Sequence, residues 1–252
     1  MAGILLTLGF KDLYPDLERR YQRRRGRPST STDSRPTSTY LPPVKLEDHT
    51  RSARQSVLSL PAPPIPEGIE GCIGNTPLFK IRSLSEATGR VILAKAEFLN
   101  GAGGSPKDRV ALNMIRTAEE EGLLTPGQGD TIYEGTVGST GISLATLARA
   151  LGYKAHICMP NDQSTEKSDL LHHLGAEVER VTPAPITSTQ HYVNLARTRA
   201  KEHTANQVDL SKGFFADQFE SKANFRAHFM TTGPEIYSQT GGQVSTDAEL
   251  VR

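Results

Sequence analysis

From Gly68 onward, short apolar runs of strand length alternate with amphipathic runs of helix length, and only a few residues connect most of them. No other feature of the chain restricts its fold as much. "VILAKAE" (Val91 to Glu97) reads as a strand. "DRVALNMIRTAEEEG" (Asp108 to Gly122) reads as a helix: Val110, Ala111, Met114, Ile115 and Ala118 fall on one face, and Gly122 can end it. "TIYE" is a short strand, and "TGISLATLARALG" a helix with Ser139 or Thr140 as its cap and Gly152 at its end. "YKAHICMP" and "AEVERV" are strands on either side of "STEKSDLLHHLG", a helix with Ser164 as cap and Gly175 as stop. Tyr192 to His203 is a further helix. This alternation predicts an α/β fold of three layers around a mostly parallel sheet. Right-handed crossovers then gather the strand-to-helix loops at the carboxyl edge of the sheet, where ligands bind in folds of this kind.

The first 65 residues follow a different pattern. "ERRYQRRRGRPSTSTDSRPTSTYLPP" is basic and then rich in Ser, Thr and Pro, and 8 of the 16 prolines precede residue 66. Too little apolar surface is available there to offset the entropy of ordering, so residues 1–65 are expected to form a disordered basic arm. The arm holds 11 Lys/Arg against 6 Asp/Glu and the remainder 18 against 22, a split that the net charge of +1 conceals. The body thus carries no basic stripe with interleaved aromatics, and no nucleic-acid partner is expected. "AGILLTLGF" (Ala2 to Phe10) is far short of the about 20 apolar residues of a spanning helix and lacks the flanks of a signal peptide. The arginines after it (Arg19, Arg20, Arg23, Arg24, Arg25) are either a solvated face or a patch giving weak membrane association. Cys72 and Cys158 are isolated; both are expected to be buried small hydrophobes in a reducing compartment, and no metal site is expected.

Two loops carry unusual chemistry. "NGAGGSPKDR" (Asn100 to Arg109) leads from a strand into a helix. Ser105 is placed as an N-cap, Pro106 suits the first helical position, and Asp108 follows the cap by three residues, as in a capping box. Lys107 then sits in the first turn, where the helix dipole repels a cation. That position offers an ordinary surface lysine nothing, but it favours the neutral amine that an imine-forming lysine needs. "EGTVGSTG" (Glu134 to Gly141) sets three glycines, two threonines and a serine around the first N–H groups of a helix, a cradle for a phosphate or a carboxylate. On the residues alone, each loop is either an ordinary capped turn or a site. Neither a phosphate loop with Gly-Lys-Ser/Thr nor a G-x-G-x-x-G fingerprint is present.

The order of motifs adds what no single loop supplies. "IGNTPL" (Ile73 to Leu78), "GGSPKDR", "EGLLTPG", "EGTVGSTG", "LGYKAHICMP" and "TTGPEI" (Thr231 to Ile236) follow one another along the chain. This order resembles the pyridoxal-phosphate enzymes of the cysteine synthase and cystathionine β-synthase family over residues 68–240, and the arm with "GFKDLYPDLERR" is similar to a fungal mitochondrial branch of it. The resemblance implies PLP fold type II over residues 66–252, with a small subdomain at about 98–182 inserted in the larger one. It implies that Lys107 is the lysine that bonds to pyridoxal 5'-phosphate. It also implies that Thr136, Gly138, Ser139 and Thr140 hold the substrate carboxylate, with Ser139 also touching the cofactor, and that Gln218 helps hold that carboxylate. Asn75 and Thr76 are implied to pack near the site. The implied reaction replaces the side-chain leaving group of an O-activated serine with sulfide to give cysteine, in a homodimer and in the mitochondrion, with outer-membrane association of the arm or a cytoplasmic location as alternatives.

Three departures from the family pattern are visible. Val137 and Ser139 stand where the family has serine and asparagine, and losing one such donor costs about 1–3 kcal/mol. Pro106 replaces an apolar residue at a position that tolerates it. The family pattern would continue past "TTGPEIYSQTGGQ" into a strand and a glycine loop around the cofactor phosphate, so the chain is expected to be an incomplete form of the fold. The alternative function is accordingly a non-catalytic paralogue that serves as a binding or dimerisation partner.

Overall fold

The computed structural model describes residues 65–206 and 210–244, all within one unit spanning Pro64–Arg252. The basic arm lies outside the described residues. The first elements are a 3-10 turn (Ile69–Cys72), strand β1 (Leu78–Lys80), helix α1 (Arg82–Thr88) and strand β2 (Leu93–Lys95). β1 and β2 pair antiparallel as a separate two-stranded sheet, Phe79 opposite Ala94. This corrects the expectation that Val91–Glu97 is a strand of the parallel sheet. Only its middle is extended, and Glu97–Leu99 turn into a 3-10 helix.

The main sheet is parallel throughout and has the order β5-β4-β3-β6. Its strands are β3 (Thr131–Gly135), β4 (Lys154–Pro160), β5 (Glu177–Val181) and β6 (Gly213–Phe215). Helix α2 (Lys107–Glu120) precedes β3, α3 (Ser139–Leu151) joins β3 to β4, α4 (Thr165–His173) joins β4 to β5, and α5 (Tyr192–Ala205) joins β5 to β6. The chain then runs through α6 (Lys222–Ala227), a π-turn (His228–Thr232) and α7 (Gly233–Gln239). β6 lies outside the 98–182 segment, so the sheet of that segment is completed by later chain.

Alternation along β4 explains the three layers. Ile157 and Met159 face one side, packing with Ile132, Leu144, Leu147 and Met114 from β3, α3 and α2. Cys158 faces the other, against Leu195 and Ala196 of α5. The apolar stripe of α2 is buried as its spacing predicts, and Gly122 adopts φ +70 just past its end. Gly135 is needed where β3 meets α5: a Cβ there would lie 2.4 Å from Val193 Cα and 2.7 Å from its backbone nitrogen.

Several local expectations change. α2 begins at Lys107, and Pro106 takes the cap position already in helical conformation. Gly138, not Ser139 or Thr140, precedes the first residue of α3. Ser164 stands at the cap of α4 without capping the helix through its side chain. Cys158 is buried as expected, whereas Cys72 is exposed because its 3-10 turn runs along the surface.

Candidate active site

Asp108 shows how the first loop is built. Its carboxylate does not cap α2. It turns back and accepts from the backbone N–H groups of Ala102 (3.2 Å), Gly103 (2.8 Å) and Gly104 (3.0 Å). Three backbone donors on one buried carboxylate lock the glycine loop onto the helix start. Gly103 fits because a Cβ would meet Asp108 Oδ1 at 3.0 Å and Ser143 Oγ at 3.1 Å. Ser105 Oγ accepts the Lys107 N–H at 3.2 Å, so it holds the first turn as a local cap.

The same Asp108 joins the two loops. Ser143 Oγ lies 2.5 Å from Asp108 Oδ1 and 2.9 Å from the Ser139 carbonyl oxygen and shares its one proton between them. The start of α2, which carries Lys107, is thereby tied to the start of α3, which carries Ser139 and Thr140. Lys107 is half-buried, and among the described residues its Nζ has no hydrogen-bond or ion-pair partner.

The second loop ends β3 and opens α3. Thr136 and Thr140 are buried, Val137 and Ser139 half-buried, and Gly138 exposed. Nothing lies within 4 Å of a Cβ built on Gly138, which leaves the approach to the α3 N-terminus open. Gly141 packs tightly instead, its Cβ position 3.0 Å from Thr136 Cγ2. Thr140 Oγ1 donates to Gln218 Oε1 at 2.6 Å. The structure thus places Gln218, 78 residues further on, against the loop, and Glu134 takes its amide Nε2 at 3.2 Å. Burial pushes the Glu134 carboxyl up to about 8 against the pull of hydrogen bonds from Gln218.

Next to Lys107 lies a cluster that the sequence did not disclose. Arg109 donates to both oxygens of Glu97, at 2.8 Å each, and to those of Glu235 at 2.6 and 2.8 Å. Thr76 Oγ1 accepts from Arg109 at 3.2 Å and donates to Glu97 at 2.6 Å, and Glu235 also pairs with Lys95. Burial raises the Glu97 and Glu235 carboxyls, but the hydrogen bonds and charge of Arg109, joined by Thr76 and Asn100 at Glu97 and by Lys95 and Asn75 at Glu235, together outweigh it and leave Glu97 below its ordinary value and Glu235 at about 2. Burial alone would lower the Arg109 guanidinium; its two carboxylate partners hold it above its ordinary value. Asn75, at φ 49, donates its N–H to Glu235 at 3.0 Å, so Asn75 and Thr76 do border the site through this cluster. The "KDR" tripeptide was the available signal, since residues flanking a site lysine on a first turn face its supports.

The arrangement suits pyridoxal phosphate on two sides. A partner-free, half-buried amine fits covalent attachment of an aldehyde. An open helix N-terminus with buried threonine and glutamine side chains fits a carboxylate.

Comparison with known proteins agrees with this geometry. The family model of pyridoxal-phosphate dependent enzymes matches residues 69–248. Cysteine synthase 2 of Neurospora crassa is 68% identical over 96% of this chain and 55% of its own length. A relative from Saccharomyces cerevisiae, named provisionally as a mitochondrial cysteine synthase, is 53% identical over 71% of this chain and 45% of its own length. The chain thus spans about half the length of the curated relatives it matches. The crystal structure of O-ureido-L-serine synthase is similar at a TM-score of 0.61 with 31% identity, over 72% of this chain and 53% of that one. With its matched segment covering most of the sequence, the chain belongs to the pyridoxal-phosphate dependent enzyme family.

Proposed function

We propose that this chain carries the lysine and carboxylate-binding half of a cysteine synthase-type site. Its reaction replaces the side-chain leaving group of an O-activated serine with sulfide. The single observation that carries this reading is the tie, through Asp108 and Ser143, between the α2 start that carries Lys107 and the α3 start whose Thr140 holds Gln218, in a chain of this family. Pyridoxal phosphate, when bound, supplies the electron sink for loss of the α-proton and the β-substituent.

The residues of the chain divide the remaining work. Lys107 is the covalent attachment point, and its released amine moves the proton at the substrate α-carbon. The open N–H groups at the start of α3, with Thr136, Gly138, Ser139 and Thr140, bind and orient the substrate carboxylate, and Ser139 faces the cofactor side. Gln218 adds an N–H from the opposite side. The half-buried Val137 side chain brings no donor, so the loop holds its carboxylate with backbone N–H groups and the Thr136 hydroxyl. Location in the mitochondrion is supported by the name of the yeast relative. Pairing with a second copy is supported by Phe225 and Phe229, which stack at 5.5 Å on an exposed face.

The test is direct. The purified chain is mixed with pyridoxal phosphate, reduced with borohydride and digested. Mass spectrometry is expected to find the pyridoxyl label on Lys107, and Lys107→Ala to abolish the visible band of the bound cofactor. A label spread over surface lysines, with the band unchanged in Lys107→Ala, refutes the reading.

A further inference from the structure

The Glu134 carboxyl is fully buried at the end of β3, where burying an ionisable group is costly without partners. Its hydrogen-bond partners among the described residues come from one turn, between β6 and α6. The Gln218 backbone N–H lies 3.4 Å from Oε2, and Gln218 Nε2 lies 3.2 Å from Oε1. The turn depends on Asp217 adopting φ +52, the left-handed region that a side chain disfavours, and Asp217 Oδ1 is buried without a partner among the described residues. Strain of this kind persists only where surrounding contacts enforce it. Two more bonds do so: Ser221 N–H to the Asp217 carbonyl at 2.8 Å and Asn224 Nδ2 to the Gln218 carbonyl at 2.8 Å.

Counting hydrogen bonds then settles what Gln218 can offer. A glutamine amide has two N–H donors and one carbonyl oxygen. The oxygen accepts from Thr140 Oγ1, and one N–H is taken by Glu134. One N–H remains. In this orientation Nε2 faces Glu134 and Oε1 faces the Thr140 hydroxyl, so the remaining N–H is the group left for a ligand.

We infer that Glu134 is the positioning residue of the carboxylate site, fixing the Gln218 turn and amide, which the Thr140 hydroxyl also holds, so that one amide N–H stays aligned for a substrate carboxylate. Glu134 acts only through Gln218 and touches no substrate. The inference rests on the function proposed above and deepens it.

A double-mutant cycle in the cofactor-loaded chain tests it, with L-serine as probe and its apparent Kd read from the cofactor absorbance. Glu134→Ala is expected to raise that Kd about tenfold, the size of one well-placed hydrogen bond, and Gln218→Ala by a similar factor. The double variant is expected to be no worse than Gln218→Ala alone, and Glu134→Gln, which keeps an acceptor for Nε2, to recover most of the loss. Independent, multiplying effects overturn the inference, as does an unchanged Kd in Glu134→Ala. If that variant does not fold, Glu134→Gln and its double with Gln218→Ala complete the cycle at smaller amplitude. If the wild-type chain shows no cofactor band, the proposed function falls and this inference is decided by the Gln218 side-chain amide resonances. Glu134→Gln must shift them, and unchanged resonances overturn it.

Discussion

Two buried polar clusters flank the start of α2 and the end of β3, and they solve the same problem in opposite ways. Around Arg109, two carboxylates face one guanidinium and one lysine, so charge is matched by charge and the acids are held low. Around Glu134, the partners are N–H groups without net charge, and burial wins, raising the acid to about 8. The difference teaches that burial alone does not set the ionisation of a carboxyl. The kind of partner does. The ion cluster ties distant chain segments beside Lys107, whereas the neutral cluster holds one amide.

The largest test removes the shared cation. Arg109→Met leaves Glu97 and Glu235 facing each other with only Lys95 to compensate, and a loss of about 3–5 kcal/mol is expected in urea unfolding. A loss below about 1 kcal/mol would show the cluster to be solvated and the contrast false. Next in size is Gly135→Ala, beside Glu134, whose new Cβ would meet the backbone of Val193 and force β3 from α5; about 1–3 kcal/mol is expected to be lost. Wild-type stability here would mean that the neutral cluster does not depend on this close approach.

The two clusters also predict opposite pH limbs. Glu134 is raised in the fold, so its contribution is complete below about 4.5 and is lost as pH rises through about 8. Glu235 is depressed, so its contribution is present above about 4.5 and lost as pH falls through about 2. Thermal midpoints against pH should therefore lose the alkaline limb in Glu134→Gln and part of the acid limb in Glu235→Gln; the same limb altered by both variants would break the distinction. The smallest effect concerns the thiols. Burial pushes Cys158 up to about 12, while Cys72 is exposed, so an aromatic disulfide reagent should modify Cys72 first and leave Cys158 protected in the folded chain. Equal rates would contradict the buried position of β4.

Much of this was legible in the sequence because periodicity and turn chemistry are local. The buried face of α2, the strand-helix alternation through β5 and the glycines that end α2, α3 and α4 all follow from residues a few positions apart. The β1–β2 pair was not legible as a separate sheet, since three-residue strands carry no measurable alternation. Asp108 shows a subtler limit. Its spacing from Ser105 fits a capping box, yet the three glycine N–H groups behind it compete for the same carboxylate and win. Gln218 was reached through family resemblance, not from its spacing. The partners of Arg109 were out of reach altogether, because Glu235 lies 126 residues away and nothing local marks the pair.

The strand order β5-β4-β3-β6 has a consequence in time. β3, β4 and β5 are chain neighbours and pair across short crossovers, whereas β6 must return past the whole β4–β5 excursion to dock on β3. Closing that longer loop costs more entropy, so β6 is expected to anneal late on the folding path. Both loops that bracket Lys107 are assembled by then. Gln218, just beyond β6, arrives last, so its amide joins Thr140 and Glu134 only after the rest of the loop has formed. Pulse-labelled hydrogen exchange should see Ile132 protected against β4 before Phe214 is protected against β3.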